Sequence, residues 1–152
     1  MKNNLNLVDL HIHSVFSDGT DAVEELLKKI DEKQITIFSV TDHDTLKFYD
    51  HTDDKSLEGL NLIPGREFSC ITEAGQCHIL GYGIDINCKL LRDTLSYTQS
   101  MRKKKLSSTM TLLKVLYGIV FTDEEKNILS NIPSVGKPHI AQMLVKKGYA
   151  AL

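Results

Sequence analysis

Strand-like, helical and strand-like patterns follow one another within the first forty residues, and this succession most constrains what the chain can fold into. Leu5 to His13 alternates apolar with polar residues and ends in the turn Ser17-Asp18-Gly19. Val23, Leu26, Leu27 and Ile30 then recur at helical spacing as far as Lys33, and Asp21 with Glu24 three residues on reads as a capping box. The β-branched run ITIFSV, Ile35 to Val40, predicts a second strand. Asp44 to Leu57 is polar and reads as a short helix or an irregular connection before a strand over Leu60 to Ile63. After Pro64-Gly65, Glu67 to Ile71 continues extended, and the turn Glu73-Ala74-Gly75 leads into a strand over Gln76 to Ile84.

From Lys89 to Tyr117 the pattern becomes helical, with Leu91, Leu95, Thr98, Met101, Leu106, Met110, Leu113 and Leu116 on one stripe and Gly118 as the C-cap. Shorter helices are expected from Thr122-Asp123-Glu124-Glu125 to Leu129, and from Pro138 to Lys147, the latter closed by Gly148. A length of 152 residues fits one domain, and 41% apolar with 25% charged residues is an ordinary globular balance. With no apolar run of signal-peptide or membrane-span length, the expectation is a soluble cytoplasmic protein with no membrane contact. Cys70, Cys77 and Cys88 are odd in number and lack a C-x-x-C pair, so reduced, partly buried thiols are expected. A net charge of -2 disfavours long duplex DNA, despite the local patch Arg102-Lys103-Lys104-Lys105.

The residues with metal-ligand chemistry fall at strand ends. His11 and His13, at i and i+2 of a strand, present two imidazoles on one face, and Asp18 returns to the same end after the turn. His43 in TDHDT lies just past the second strand, Glu67 in PGREFSC follows the third, and His78 in QCHILGYG lies in the fourth, nearer its start. Chemistry at strand ends is the habit of barrels and open α/β sheets. Any one of these residues is more simply a core histidine or a solvated carboxylate, but together they are hard to attribute to packing. Histidines and carboxylates without thiolates suit catalytic zinc, manganese or iron. A glutamate among histidines can bridge two ions, and such a site activates water and clamps phosphoryl oxygens, so phosphoester hydrolysis is the expected chemistry.

DLHIHSVFSDGT, TDHDTL, PGREFS and HILGYGID resemble, in order and spacing, the first four motif regions of the PHP (polymerase and histidinol phosphatase) domain. The likeness is strongest to its stand-alone 3',5'-nucleoside bisphosphate phosphatases and 5'-to-3' exoribonucleases and spans roughly residues 7 to 150, because KPHIAQMLVKKGY also looks like the insertion those enzymes carry. The resemblance implies an α/β fold: the N-terminal half of a distorted (β/α)7 barrel over residues 1–87, with a helical insertion over 88–152. It implies up to three divalent ions, with His11, His13 and Glu67 on one, Glu67 and His78 on a second, and Asp18 with His43 on a third. The family's later histidine and Asp-x-His pair would follow residue 152, and the alternative expectation is a chain that binds metal or phosphate without turnover, or pairs with a second copy along an unfinished sheet edge. Histidinol-phosphatase activity is the alternative within the family.

Around the ligands, Asp42 and Asp44 read as acceptors that orient imidazoles, with Asp44 alternatively capping the next helix; Ser14 and Ser69 are similar cases. Arg66 alternates to the opposite strand face from Glu67 and is expected in a salt bridge behind the site. By resemblance Arg102, Lys103 and His139 would meet a small phosphate ester or short nucleotide, Lys137 standing in for an arginine of the relatives. Read alone, Arg102 and Lys103 are a solvated helix face and His139 a helix cap. His51 is expected to be exposed, and Tyr82 and Tyr117 to be packing residues.

Overall fold

A computed structural model describes residues 7–53 and 55–151, so the first two positions of the strand expected from Leu5 lie outside the described residues. Strand β1 (Leu7–Ile12), helix α1 (Val23–Glu32) and strand β2 (Ile35–Val40) form a parallel pair with its crossover helix, pairing Leu7 with Ile35 and Asp9 with Phe38. Asp9 and Ile12 lie three positions apart while their partners Phe38 and Val40 lie two apart, so the register shifts across Leu10 and His11, as at a β-bulge. After α2 (Lys47–Asp50) and a 3-10 turn at Lys55–Leu57, the chain adds β3 (Asn61–Leu62) parallel to β2.

Strands β4 (Gly65–Thr72) and β5 (Gly75–Tyr82) form a separate antiparallel hairpin with a continuous register from Gly65 against Tyr82 to Thr72 against Gly75. The two sheets touch where His43 bridges Glu67, with Asp44 N–H donating to the Glu67 carbonyl at 3.1 Å and Glu67 N–H to the Thr41 carbonyl at 3.2 Å. The antiparallel return explains His78: the first half of β5 lies beside the second half of β4, so a residue near the start of its strand reaches the same rim.

Three helices follow: α3 (Lys89–Tyr117), α4 (Asp123–Asn131) and α5 (Lys137–Lys146). Gly118 ends α3 in the left-handed region (φ 67°), where a side chain is disfavoured, and its N–H returns to the Lys114 carbonyl. The capping box expected at α4 is present, with Thr122 Oγ accepting from Glu125 N–H and Glu125 accepting from Thr122 N–H. The one expected at α1 is not. That helix starts after Ala22, and Asp21 lies one residue too early, its carboxylate paired at 2.7 Å with Lys29.

Two apolar clusters hold these elements. Phe38, Val40, Leu46, Phe48 and Tyr49 pack with the inner face of α1 (Val23, Leu26, Leu27, Ile30) and take in Leu95 from the first part of α3. Leu106, further along the same helix, packs with Ile119, Phe121, Leu129, Val135, Ile140 and Met143. Full burial of each large apolar side chain is worth about 1.5–3 kcal/mol, so α3 is anchored at both clusters and spans the gap between them. Tyr117 departs from its expected packing role: it is 69% exposed, as are its neighbours Val115 and Leu116 to similar degrees. No helix among the described residues is long and apolar enough to cross a membrane.

Candidate metal centre

The site begins at the end of β1. The register shift falls beside His11, and both imidazoles reach one carboxylate: His11 Nε2 lies 3.1 Å and His13 Nε2 3.0 Å from Glu67 Oε2. The following turn is held by Asp42, which accepts from Ser14 N–H at 2.7 Å, from the Ser14 hydroxyl, and from the Ser17 hydroxyl at 2.6 Å. Asp42 therefore fixes the backbone that carries His13 and Asp18 and reaches an imidazole only through Ser17, 3.3 Å from His13 Nδ1. Gly19 crosses so close behind His13 that a Cβ there would lie 2.1 Å from the His13 carbonyl oxygen. This crossing brings Asp18 back to the strand end, with Oδ1 2.8 Å from His13 Nδ1 and Oδ2 3.5 Å from His43 Nε2.

Glu67 is the centre of the arrangement. Its Oε1 is 2.7 Å from His78 Nδ1, and its Oε2, already shared by His11 and His13, is 3.6 Å from His43 Nδ1. The donors gather into three overlapping sets: His11, His13, Glu67; His13, Asp18, His43; and His43, Glu67, His78, with the atoms of each set within 4.8 Å of one another. The sharing of His13 and His43 between sets is a feature that strand-end counting missed. His11 and His78 form the open rim, 52% and 50% exposed, while Glu67 is nearly closed off.

Burial would raise the Asp18 and Glu67 carboxyls, but their imidazole neighbours outweigh it and hold both below the ordinary carboxylate range. Burial pushes His43 down, toward the neutral form. Ionised carboxylates with a neutral buried imidazole are the protonation states that bind a divalent cation. His43 Nδ1 is also buried with no hydrogen-bond partner, a loss of about 1–3 kcal/mol unless another group claims its lone pair. The residues present thus fit a cation, and the nitrogen and oxygen donors fit zinc, manganese or iron.

Behind the ligands lies a buried ion-pair network. Asp44, in a positive-φ conformation (49°), accepts from Arg66 at 2.7 Å, from Ser69 N–H at 3.1 Å and from Arg102 Nε at 2.9 Å. Neither alternative for Asp44 is met: α2 starts after Leu46 without a side-chain cap, and the two Asp44 carboxylate oxygens accept from Arg66, Ser69 and Arg102. Arg66 does form its expected salt bridge. At 1% exposure its guanidinium is lowered to about 10 by burial, and it also lies 4.4 Å over the Phe68 ring. Tyr49, unremarked in the sequence, ties β2 to β4: its hydroxyl donates to the Val40 carbonyl and accepts from Gly65 N–H at 2.8 Å, and burial pushes it up to about 12.

A cavity of about 550 Å³ opens beside the ligands, with Asp18, His43, His78 and Ser69 on one wall and Met101, Arg102, Lys105, Leu106, His139 and Ile140 on the other. Arg102 lines it, but its donors are already engaged by Asp44, the Ser69 hydroxyl at 2.7 Å and the Val135 carbonyl at 3.2 Å. Lys103 is exposed and does not line the cavity; one residue along a helix turns about 100° away, and Lys105 takes its place. His139 accepts from Gly136 N–H at Nδ1 (3.0 Å), so its Nε2 carries the proton and donates to the Ser17 carbonyl at 2.6 Å. It both caps its own helix and ties α5 to the turn bearing Asp18. Tyr82, 43% exposed, does more than pack: its hydroxyl donates to the Leu10 carbonyl at 2.9 Å and joins the hairpin to β1.

The chain is 32% identical over 148 residues to the 5'-3' exoribonuclease Rnm of Salmonella typhimurium, covering 95% of this chain and 50% of that protein. It thus spans about half the length of the curated relatives it matches. A solved protein from Bifidobacterium adolescentis, provisionally described as a metal-dependent phosphoesterase, superposes with a TM-score of 0.81 at 25% identity over 96% of this chain and 52% of that one. An amidohydrolase from Chromobacterium violaceum has the same fold, with a TM-score of 0.82 at 24% identity over 94% of this chain and 51% of its own. The described strands and helices therefore correspond to part of a larger PHP-like barrel. The PHP domain model matches residues 9–150, a span holding every residue of the histidine–carboxylate cluster, and the chain belongs to the PHP domain family.

Proposed function

We propose that this chain carries the metal-binding half of a divalent-metal-dependent phosphoesterase acting on small phosphate esters, nucleoside 3',5'-bisphosphates or the 5' ends of short oligonucleotides. The observation that carries the reading is Glu67, a nearly closed-off carboxylate within reach of four imidazoles beside an open cavity. His11, His13 and Glu67 would hold one cation, His43, Glu67 and His78 a second, and His13, Asp18 and His43 a third. Divalent cations there supply Lewis acidity toward a phosphoryl oxygen and ease ionisation of water.

The protein's own residues set the rest. Asp42 and His139 hold the turn that aims Asp18, while Asp44 and Arg102 fix the opposite wall. Lys105 and Lys137 bring positive charge to the cavity, the sign an ester with more than one phosphate requires. The cavity volume lies within the usual range for small-molecule sites, about 300–1,000 Å³, and is too small for duplex DNA. The exoribonuclease named among the relatives makes a nucleotide 5' end the first substrate to try.

The test is Glu67→Gln in the full-length protein. Metal content by elemental analysis and hydrolysis of a nucleoside 3',5'-bisphosphate should both fall by about a hundredfold or more, since even residues behind the ligands cost about 10–100-fold. Circular dichroism should be unchanged. Full metal content with an unchanged rate would overturn the reading.

A further inference from the structure

We propose that Cys70 and Cys77 are an oxidation site: two thiols placed to close a disulfide across the β4–β5 hairpin, in the wall of the cavity. They are direct partners in the antiparallel ladder, so their side chains leave the same face of the hairpin. Direct antiparallel partners have Cα atoms about 4.5–5.5 Å apart, inside the range of about 4.4–6.8 Å that a disulfide spans. No change of register is needed. Both cysteines are free and partly buried, and both line the cavity, whose opening gives a small oxidant access to them.

The loop between the two cysteines is short, so the bond restricts little of the unfolded chain and suits a reversible link better than a structural staple. Cys88 lies outside the ladder, immediately before α3, and does not line the cavity. It serves as an internal control.

The oxidant is a peroxide. One thiol sulfur attacks the O–O bond of hydrogen peroxide, giving a sulfenic acid and one water. The opposing thiol then displaces the hydroxyl as a second water and forms the S–S bond. Both S–H bonds are lost, the sulfur pair is oxidised by two electrons, and the peroxide is reduced to water. The bond forms one residue before His78, in the strand that brings this half-exposed imidazole to Glu67.

The reduced 152-residue chain, treated with hydrogen peroxide, quenched and denatured, should lose the mass of two hydrogens. A maleimide should then label one cysteine in place of three, and peptide mapping should show Cys70 joined to Cys77. Dithiothreitol should restore all labelling. Cys88→Ser should still close the bond and Cys77→Ser should not, each with native circular dichroism. Three labelled thiols after peroxide, a bond that includes Cys88, or covalent dimers in place of the intramolecular link would overturn the proposal.

Discussion

The two ends of α3 rest in different kinds of interior. Around Leu95's cluster the buried polar residues crowd together: Ser14, Ser17, Asp42, Asp44, Arg66 and Glu67 are all closed off near the strand ends. Around Leu106 the interior is apolar, with Ser134 the one buried polar residue beside it among those described. The first region spends burial on holding charged groups in fixed positions, which is costly unless each is paired; the second is ordinary helix packing. Gln99, Arg102 and His139 carry hydrogen bonds from the helical region to the strand-end region, Gln99 donating to the Asp44 carbonyl at 3.0 Å. Chemistry is thus concentrated on one side, and the other side closes the cavity.

Asp44→Ala should break the first region hardest. It leaves Arg66, 1% exposed, as an uncompensated buried cation and frees Arg102, at a cost of about 3–5 kcal/mol in chemical denaturation. Replacing Arg66 by Met in the same background should recover much of that loss but not the tie to α3. The pH dependence has a definite sign. Burial raises the Asp44 carboxyl, but Ser69 and Arg102 bring it below its ordinary 3.8, so its contribution is complete above that value and is lost as pH falls through the lower folded value. A wild-type and Asp44→Ala difference that stayed constant to below pH 3.8 would contradict the network.

Leu129→Ala asks whether the helical region is a separate cooperative unit. Removing a buried leucine should cost about 2–5 kcal/mol. Amide exchange should quicken in α4, α5 and the later part of α3 while β1 and β2 keep their protection. Uniform loss of protection would mean that the ties made by Gln99, Arg102 and His139 couple the regions more tightly than their packing does.

Gly19→Ala should produce a smaller but more local defect. A Cβ at 2.1 Å from the His13 carbonyl forces the turn away, costing about 1–3 kcal/mol. Asp18 moves with it, so metal titration should show weaker binding with the rest of the fold retained. Unchanged affinity would separate Asp18 from the ligand cluster.

How much of this was legible in the sequence follows the same division. His11, His13, Asp18, His43, Glu67 and His78 could be read because each lies at or beside a strand, and strand periodicity is local. The register shift beside His11 could not, because it is a mismatch between β1 and β2 rather than a property of either. The arginine partners of Asp44 could not, because they lie 22 and 58 residues away, beyond any local pattern. Lys103 and Lys105 differ by helix phase alone, and on a long helix with a weak apolar stripe that phase is set by tertiary contact. Tyr49 carried no signal, since its hydroxyl bridges backbone groups that meet only after folding.

The smallest expected effect lies farthest from the chemistry. Thr122→Ala removes the hydroxyl that accepts from Glu125 N–H and should cost about 1 kcal/mol, confined to α4 and its neighbours. Glu125 would keep a role, because its carboxylate also pairs with Lys147 at 2.7 Å and links the start of α4 to the end of α5. The Lys147 hydrogen bond is the main cause holding Glu125 below its ordinary 4.5, so this link is present above that pH and lost as pH falls through the lower folded value. Thr122→Ala should therefore leave metal binding and hydrolysis at wild-type levels while quickening exchange at the first turn of α4. A change in hydrolysis from so distant a cap would show that the helical region shapes the strand-end site through more than Gln99, Arg102 and His139.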